Sequence, residues 1–116
     1  MDAKPFVEHV LDDEGLSDGL ADDEAKVLID WLTAEIERQI PRQPSTEAAW
    51  AVTRALAARA RRIARVTERL YYQSDAAEAA RLWSAGGSTH SLTELSNKDP
   101  VKSIAQLIQW EQQTHA

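Results

Sequence analysis

The sequence predicts an all-α fold, a small helical bundle formed by a single helical domain over residues 1–116. Three observations predict it. Apolar residues recur at helical spacing in several stretches, and capping residues or prolines stand at the starts of those stretches. No segment alternates apolar and polar residues for more than a few positions, as a half-buried strand would. With 116 residues, 43% of them hydrophobic, the chain is also long enough to bury one core without a disulfide or structural metal.

Pro5 opens a short N-terminal helix over about residues 5–13, because a first-turn proline gives up only an N–H that would lack a partner anyway. Gly15-Leu16-Ser17-Asp18-Gly19 is turn chemistry. Asp22 then reads as the N-cap of a helix over about 23–40, with Asp23 and Glu24 placed to favour its dipole. Pro41 and Pro44 close that helix, since proline drives its predecessor out of the helical region.

Ser45 caps the longest predicted helix, about 46–72, which has no glycine or proline inside and is rich in alanine from Ala48 to Ala60. Its apolar positions, Ala49, Thr53, Leu56, Ala60, Ile63, Thr67 and Leu70, advance in alternating steps of four and three. That spacing belongs to helices packed lengthwise at small crossing angles, so this helix is the expected spine, making its contacts through Leu56, Ile63 and Leu70. Asp75 and Glu78 have capping-box spacing for a helix over about 75–85 that Gly86-Gly87 stops. Ser91 and Glu94 repeat the spacing within a connecting segment, and Asp99-Pro100 starts a last helix over about 100–113.

The net charge of −6 is unevenly spread: residues 1–40 carry a net −9, residues 41–73 a net +5, and the remainder −2. At about 100° per residue, Arg54, Arg61, Arg62, Arg65 and Arg69 share one sector of the long helix opposite its apolar stripe. Trp50 and Tyr72 project near the same sector. The bland reading is a solvated face partly neutralised by acidic neighbours, with at least two of the five arginines paired to carboxylates from residues 12–37. The sharper reading is a partner surface for an acidic protein or for nucleic acid, since guanidinium groups beside aromatics are how single strands are held. The overall negative charge argues against nucleic acid, because it repels phosphates at long range. Arg59 stands apart on the border of the apolar stripe, where its charge calls for a carboxylate partner.

Four tryptophans against one phenylalanine are unusual, one in each of the four main predicted helices. Trp31 with Val27 lies off the stripe of Ala25, Leu28, Leu32 and Ile36. Trp110 with Leu107 lies off the stripe of Val101, Ile104, Ala105 and Ile108. Both helices therefore have an apolar surface too wide for one contact. Either each is covered on two sides within the bundle, or Val27, Trp31, Leu107 and Trp110 form an interface with a second copy of the chain.

No cofactor or metal site is expected. The acidic run from Asp12 to Gly19 fails the calcium-loop pattern, because setting Gly19 as the sixth loop residue puts Leu16 where a ligand is required. His9, His90 and His115 are too dispersed for ligand spacing, and no convergent nucleophile, base and oxyanion donor can be named. An enzyme is thus less expected than a binding protein. Met1–Val10 lacks the basic and apolar segments of a signal peptide, no apolar run approaches the roughly 20 residues of a membrane span, and cysteine is absent. These features predict a cytoplasmic protein without a membrane partner. The functional expectation is a non-enzymatic helical interaction module, homo-oligomeric or adaptor-like, with nucleic-acid association through the arginine face as the alternative.

Overall fold

Five α-helices form where local signals place them in the computed structural model, which describes residues 1–13, 15–95 and 98–115. They are α1 (Lys4–Leu11), α2 (Asp22–Gln39), α3 (Thr46–Thr67), α4 (Ala76–Ser84) and α5 (Pro100–Thr114). Short 3-10 turns follow α2 at Ile40–Arg42 and precede α5 at Leu92–Glu94. Among the described residues there is no strand, and no helix is long and apolar enough to cross a membrane.

The caps explain most of the starts. Ser45 Oγ accepts from the Ala48 amide at 3.1 Å, Asp75 Oδ1 from the Glu78 amide at 3.1 Å, and Asp99 Oδ1 from the Val101 amide at 3.0 Å, each satisfying a first-turn N–H that has no partner in its own helix. Ser91 and Glu94 do form a capping box, with the Ser91 amide donating to Glu94 Oε2 at 2.6 Å. The start of α2 differs from the expectation. Ala21 rather than Asp22 is the cap residue, and its amide donates to Glu24 Oε2 at 3.1 Å. Glu24 thus supplies the backward bond of a capping box, onto the amide of a cap residue whose own side chain cannot cap.

The long helix changes its winding at its end: Glu68–Tyr72 forms a π-turn rather than continuing α3. The wider turn ends with two consecutive tyrosines pointing apart, Tyr71 to Ser103 of α5 and Tyr72 to Glu24 of α2.

α3 is the spine, touching α1, α2, α4 and α5. Leu56 and Ile63 are buried, whereas Leu70, already in the π-turn, is half-buried. Thr53 and Thr67 occupy buried stripe positions because each hydroxyl donates to the carbonyl one turn back, Ala49 and Ile63, at 2.9 Å. Around this stripe pack Leu28, Leu32 and Ile36 of α2, Trp83 of α4, and Ile104 and Leu107 of α5, all buried. Phe6 and Val10 of α1 close one end.

The core face of α5 is rotated from the expected stripe. Ala105 is exposed, while Leu107 is fully buried and Trp110 is only 6% exposed. Trp31 is buried as well, at 9% exposure, and Val27 is half-buried against the core. The second apolar faces of α2 and α5 are thus covered by the chain itself. Of the four residues expected at an interface with a second copy, Trp31, Leu107 and Trp110 pack inside the bundle and Val27 is partly covered.

Candidate functional site

The expected arginine face divides when the helices are assembled. Arg62 turns inward with Arg59 onto one carboxylate, that of Glu111 on α5, which has no exposed surface. Arg59 Nε donates to Glu111 Oε1 at 2.8 Å, and Arg62 donates to the other oxygen. Each guanidinium also lies over an indole, Arg59 at 5.7 Å from the Trp31 centroid and Arg62 at 5.4 Å from that of Trp83. Gly86 allows this arrangement, because a Cβ there would clash with the Arg62 guanidinium. His115 Nε2 adds a third contact to Glu111 at 3.1 Å. Trp83 is fixed in turn by donating to the His90 carbonyl at 3.0 Å, and the His90 ring stacks on Trp110 at 4.6 Å. Arg59 meets the carboxylate its position calls for. This buried node holds α3, α4 and α5 together and is structural.

The other four arginines remain on the outer side of α3 in different states. Arg61 pairs with Asp13, at the end of α1, and Arg69 with Glu68 at 3.2 Å. Arg54 and Arg65 are exposed, and no carboxylate among the described residues pairs with them. Only Arg61 therefore takes its counterion from residues 12–37 among the described residues, fewer than the two expected. The reason is geometric: α2 meets α3 through its apolar side, so Asp23, Asp30 and Glu37 stay in solvent.

Arg54, Arg61 and Arg65 lie within about 40° of one another along α3, over a length of roughly 16 Å at 1.5 Å per residue. Beside them α1 and α3 enclose a cleft of about 270 Å³. Val10, Thr53 and Ala57 form its buried floor, and His9, Asp13, Arg54 and Arg61 its polar rim. His9 on α1 and Asp13, just past its end, face Thr53, Ala57 and Arg61, which stand at four-residue steps on α3. The aromatic residues near this sector are engaged elsewhere. Trp50 packs on Phe6 at 4.4 Å and edge-on to His9 at 5.0 Å, and the Tyr72 hydroxyl donates to Glu24 at 2.7 Å.

The Tyr72–Glu24 contact has a measurable consequence. Donation to the buried carboxylate, with desolvation and the charges of Glu24 and Asp23, pushes the Tyr72 phenol from its ordinary 10.0 up to about 12. A raised phenol favours the folded state in its neutral form, so this contribution is complete below about pH 10 and is lost as pH climbs from 10 towards 12. An ultraviolet titration should show the Tyr72 phenol ionising late, near 12, and Glu24→Gln should bring it back towards 10. A titration curve that Glu24→Gln leaves unchanged would remove the contact.

Among the described residues no three histidine, aspartate or glutamate side chains converge to hold a metal ion. Position 14 of the acidic run lies outside the described residues. Comparison with protein-family models, curated proteins and solved structures finds no match to this chain.

Proposed function

We propose that the chain is a non-enzymatic helical interaction module that binds an acidic segment of a partner protein along the α1–α3 edge. The observation that carries this reading is the pair of exposed guanidiniums, Arg54 and Arg65, which have no carboxylate partner among the described residues and flank the Arg61–Asp13 pair on one line. Arginine is over-represented where binding energy concentrates, and its fork matches carboxylates in two-point contacts. The steps of seven and four residues between these arginines match the rise between carboxylates on one face of a partner helix lying alongside.

A protein partner is favoured over nucleic acid on two counts. Two open cations neutralise few phosphates, and affinity for a single strand grows with each phosphate contacted. The aromatic platform such a strand needs is also not offered, since Trp50 is packed under α1 and the Tyr72 hydroxyl is tied to Glu24. A partner protein is favoured over a second copy because the apolar surfaces of α2 and α5 are spent inside the bundle.

The test is fluorescence anisotropy with a labelled oligoglutamate peptide and, in parallel, a labelled single-stranded oligothymidine. At low salt the peptide should bind and weaken as salt rises, and the double variant Arg54→Glu/Arg65→Glu should weaken it about ten-fold or more. Equal peptide binding by the double variant removes the proposal. Tighter binding of oligothymidine than of the peptide transfers the face to nucleic acid.

A further inference from the structure

The geometry points to the cleft between α1 and α3 as the anchor pocket of that face, a site for a glutamate side chain of the partner, with its methylenes on the floor and its carboxylate on Arg54. This inference rests on the acidic-partner reading and goes further by naming the group recognised and the residues that select it.

The cleft is amphipathic in depth. Its floor consists of Val10, Thr53 and Ala57, each at most 5% exposed. Thr53 is polar by name only, because its hydroxyl proton is committed to the Ala49 carbonyl at 2.9 Å, which leaves the floor without a side-chain donor. Every side-chain donor belongs to the rim: Arg54, Arg61 and His9. A ligand that satisfies both levels has an apolar stem and a single polar head that accepts hydrogen bonds.

The rim also sets the charge of that head. Arg61 is neutralised by Asp13, so the guanidinium with no carboxylate among the described residues is that of Arg54. One open cation calls for one negative charge. A phosphate dianion would bring a second charge into a cleft that Asp13 already lines, whereas a monoanionic carboxylate brings only the one that the Arg54 fork matches. At about 270 Å³ the cleft exceeds what a bare carboxylate occupies and has room for the stem of glutamate. Trp50, packed on Phe6, meets the His9 ring edge-on at 5.0 Å beside the cleft.

The probe is N-acetyl-glutamate amide, titrated into the full chain while the backbone amide signals of residues 9–13 and 53–61 are followed by NMR. N-acetyl-glutamine amide, of the same shape without the charge, and free glutarate are titrated alongside. The glutamate probe should shift those signals and saturate, the glutamine probe should bind about ten-fold more weakly or worse, and Arg54→Gln should abolish the difference between them. Arg54 is exposed, so that substitution leaves the bundle intact, and Arg54→Lys, which keeps the charge and loses the fork, should restore only part of the preference. Equal shifts from both blocked probes, or a glutamate preference that survives Arg54→Gln, overturn the pocket. Glutarate binding more tightly than the blocked glutamate overturns the partner side chain in favour of a free small acid. The two readings fail separately. Oligoglutamate that binds through Arg54 and Arg65 without shifting residues 9–13 removes the pocket and keeps the face, and blocked glutamate seated in the cleft of a chain that ignores oligoglutamate does the reverse.

Discussion

Glu111→Leu is expected to lower the unfolding free energy by about 3–5 kcal/mol, because it strands two partly buried guanidiniums around one lost carboxylate. Glu111 has no exposed surface and meets Arg59 at 2.8 Å, Arg62, and His115 at 3.1 Å. With the carboxylate gone, both cations lie against the Trp31 and Trp83 rings, and the attraction of an indole face recovers only a fraction of what an ion pair supplies in a partly dry setting. The cost should appear in urea denaturation as a lowered midpoint with an unchanged slope. The mechanism has its own control. Replacing Arg59, Arg62 and Glu111 together with apolar residues of similar volume should recover most of the loss, since no buried charge is then left alone. A single variant within about 0.5 kcal/mol of the parent protein would mean that Glu111 is reached by solvent.

Ile63→Ala and Leu56→Ala should each cost about 2–5 kcal/mol, Ile63 having no exposed surface and Leu56 only 2%. Both side chains stand on the stripe through which α3 meets its neighbours, so truncation leaves a cavity that helices held at several other points cannot close. Leu70→Ala should cost less than either. It is half-buried in the π-turn and lines an open apolar groove with Ala76, Ala80 and Leu92, where water can take the space. Shifts below about 0.5 kcal/mol at both Ile63 and Leu56 would remove α3 as the spine.

Much of the architecture was readable because its causes lie within one turn of chain. Ser45, Asp75 and Asp99 cap the helices they were expected to cap, and the four-three spacing along α3 marks the residues that are buried. The exceptions involve distant partners. The π-turn at Glu68–Tyr72 accompanies contacts from Tyr71 to Ser103 and from Tyr72 to Glu24, which no local pattern announces. Apolar spacing places Ala105 on the α5 stripe, but Ala105 is exposed, and Leu107, Trp110 and Glu111 face inward beside Ile104 and Ile108. A carboxylate opposite two arginines can be drawn into the interior, and hydropathy alone assigns it to the surface.

The site divides along the same line. By itself the sequence determined that the segment from Thr46 to Tyr72 carries five arginines on one side, that Arg59 needs a carboxylate, and that the chain folds as helices, because periodicity, capping and charge are properties of neighbouring residues. Only the tertiary structure decided which arginines remain available. Arg62 is taken by a carboxylate 49 positions away, Arg61 by Asp13 just beyond α1, and Arg54 is left at the mouth of a cleft that exists only where α1 crosses α3. The rotation of each helix about its axis is set by the whole core packing at once, and that rotation turns a stripe of like charges into a buried lock and an open face.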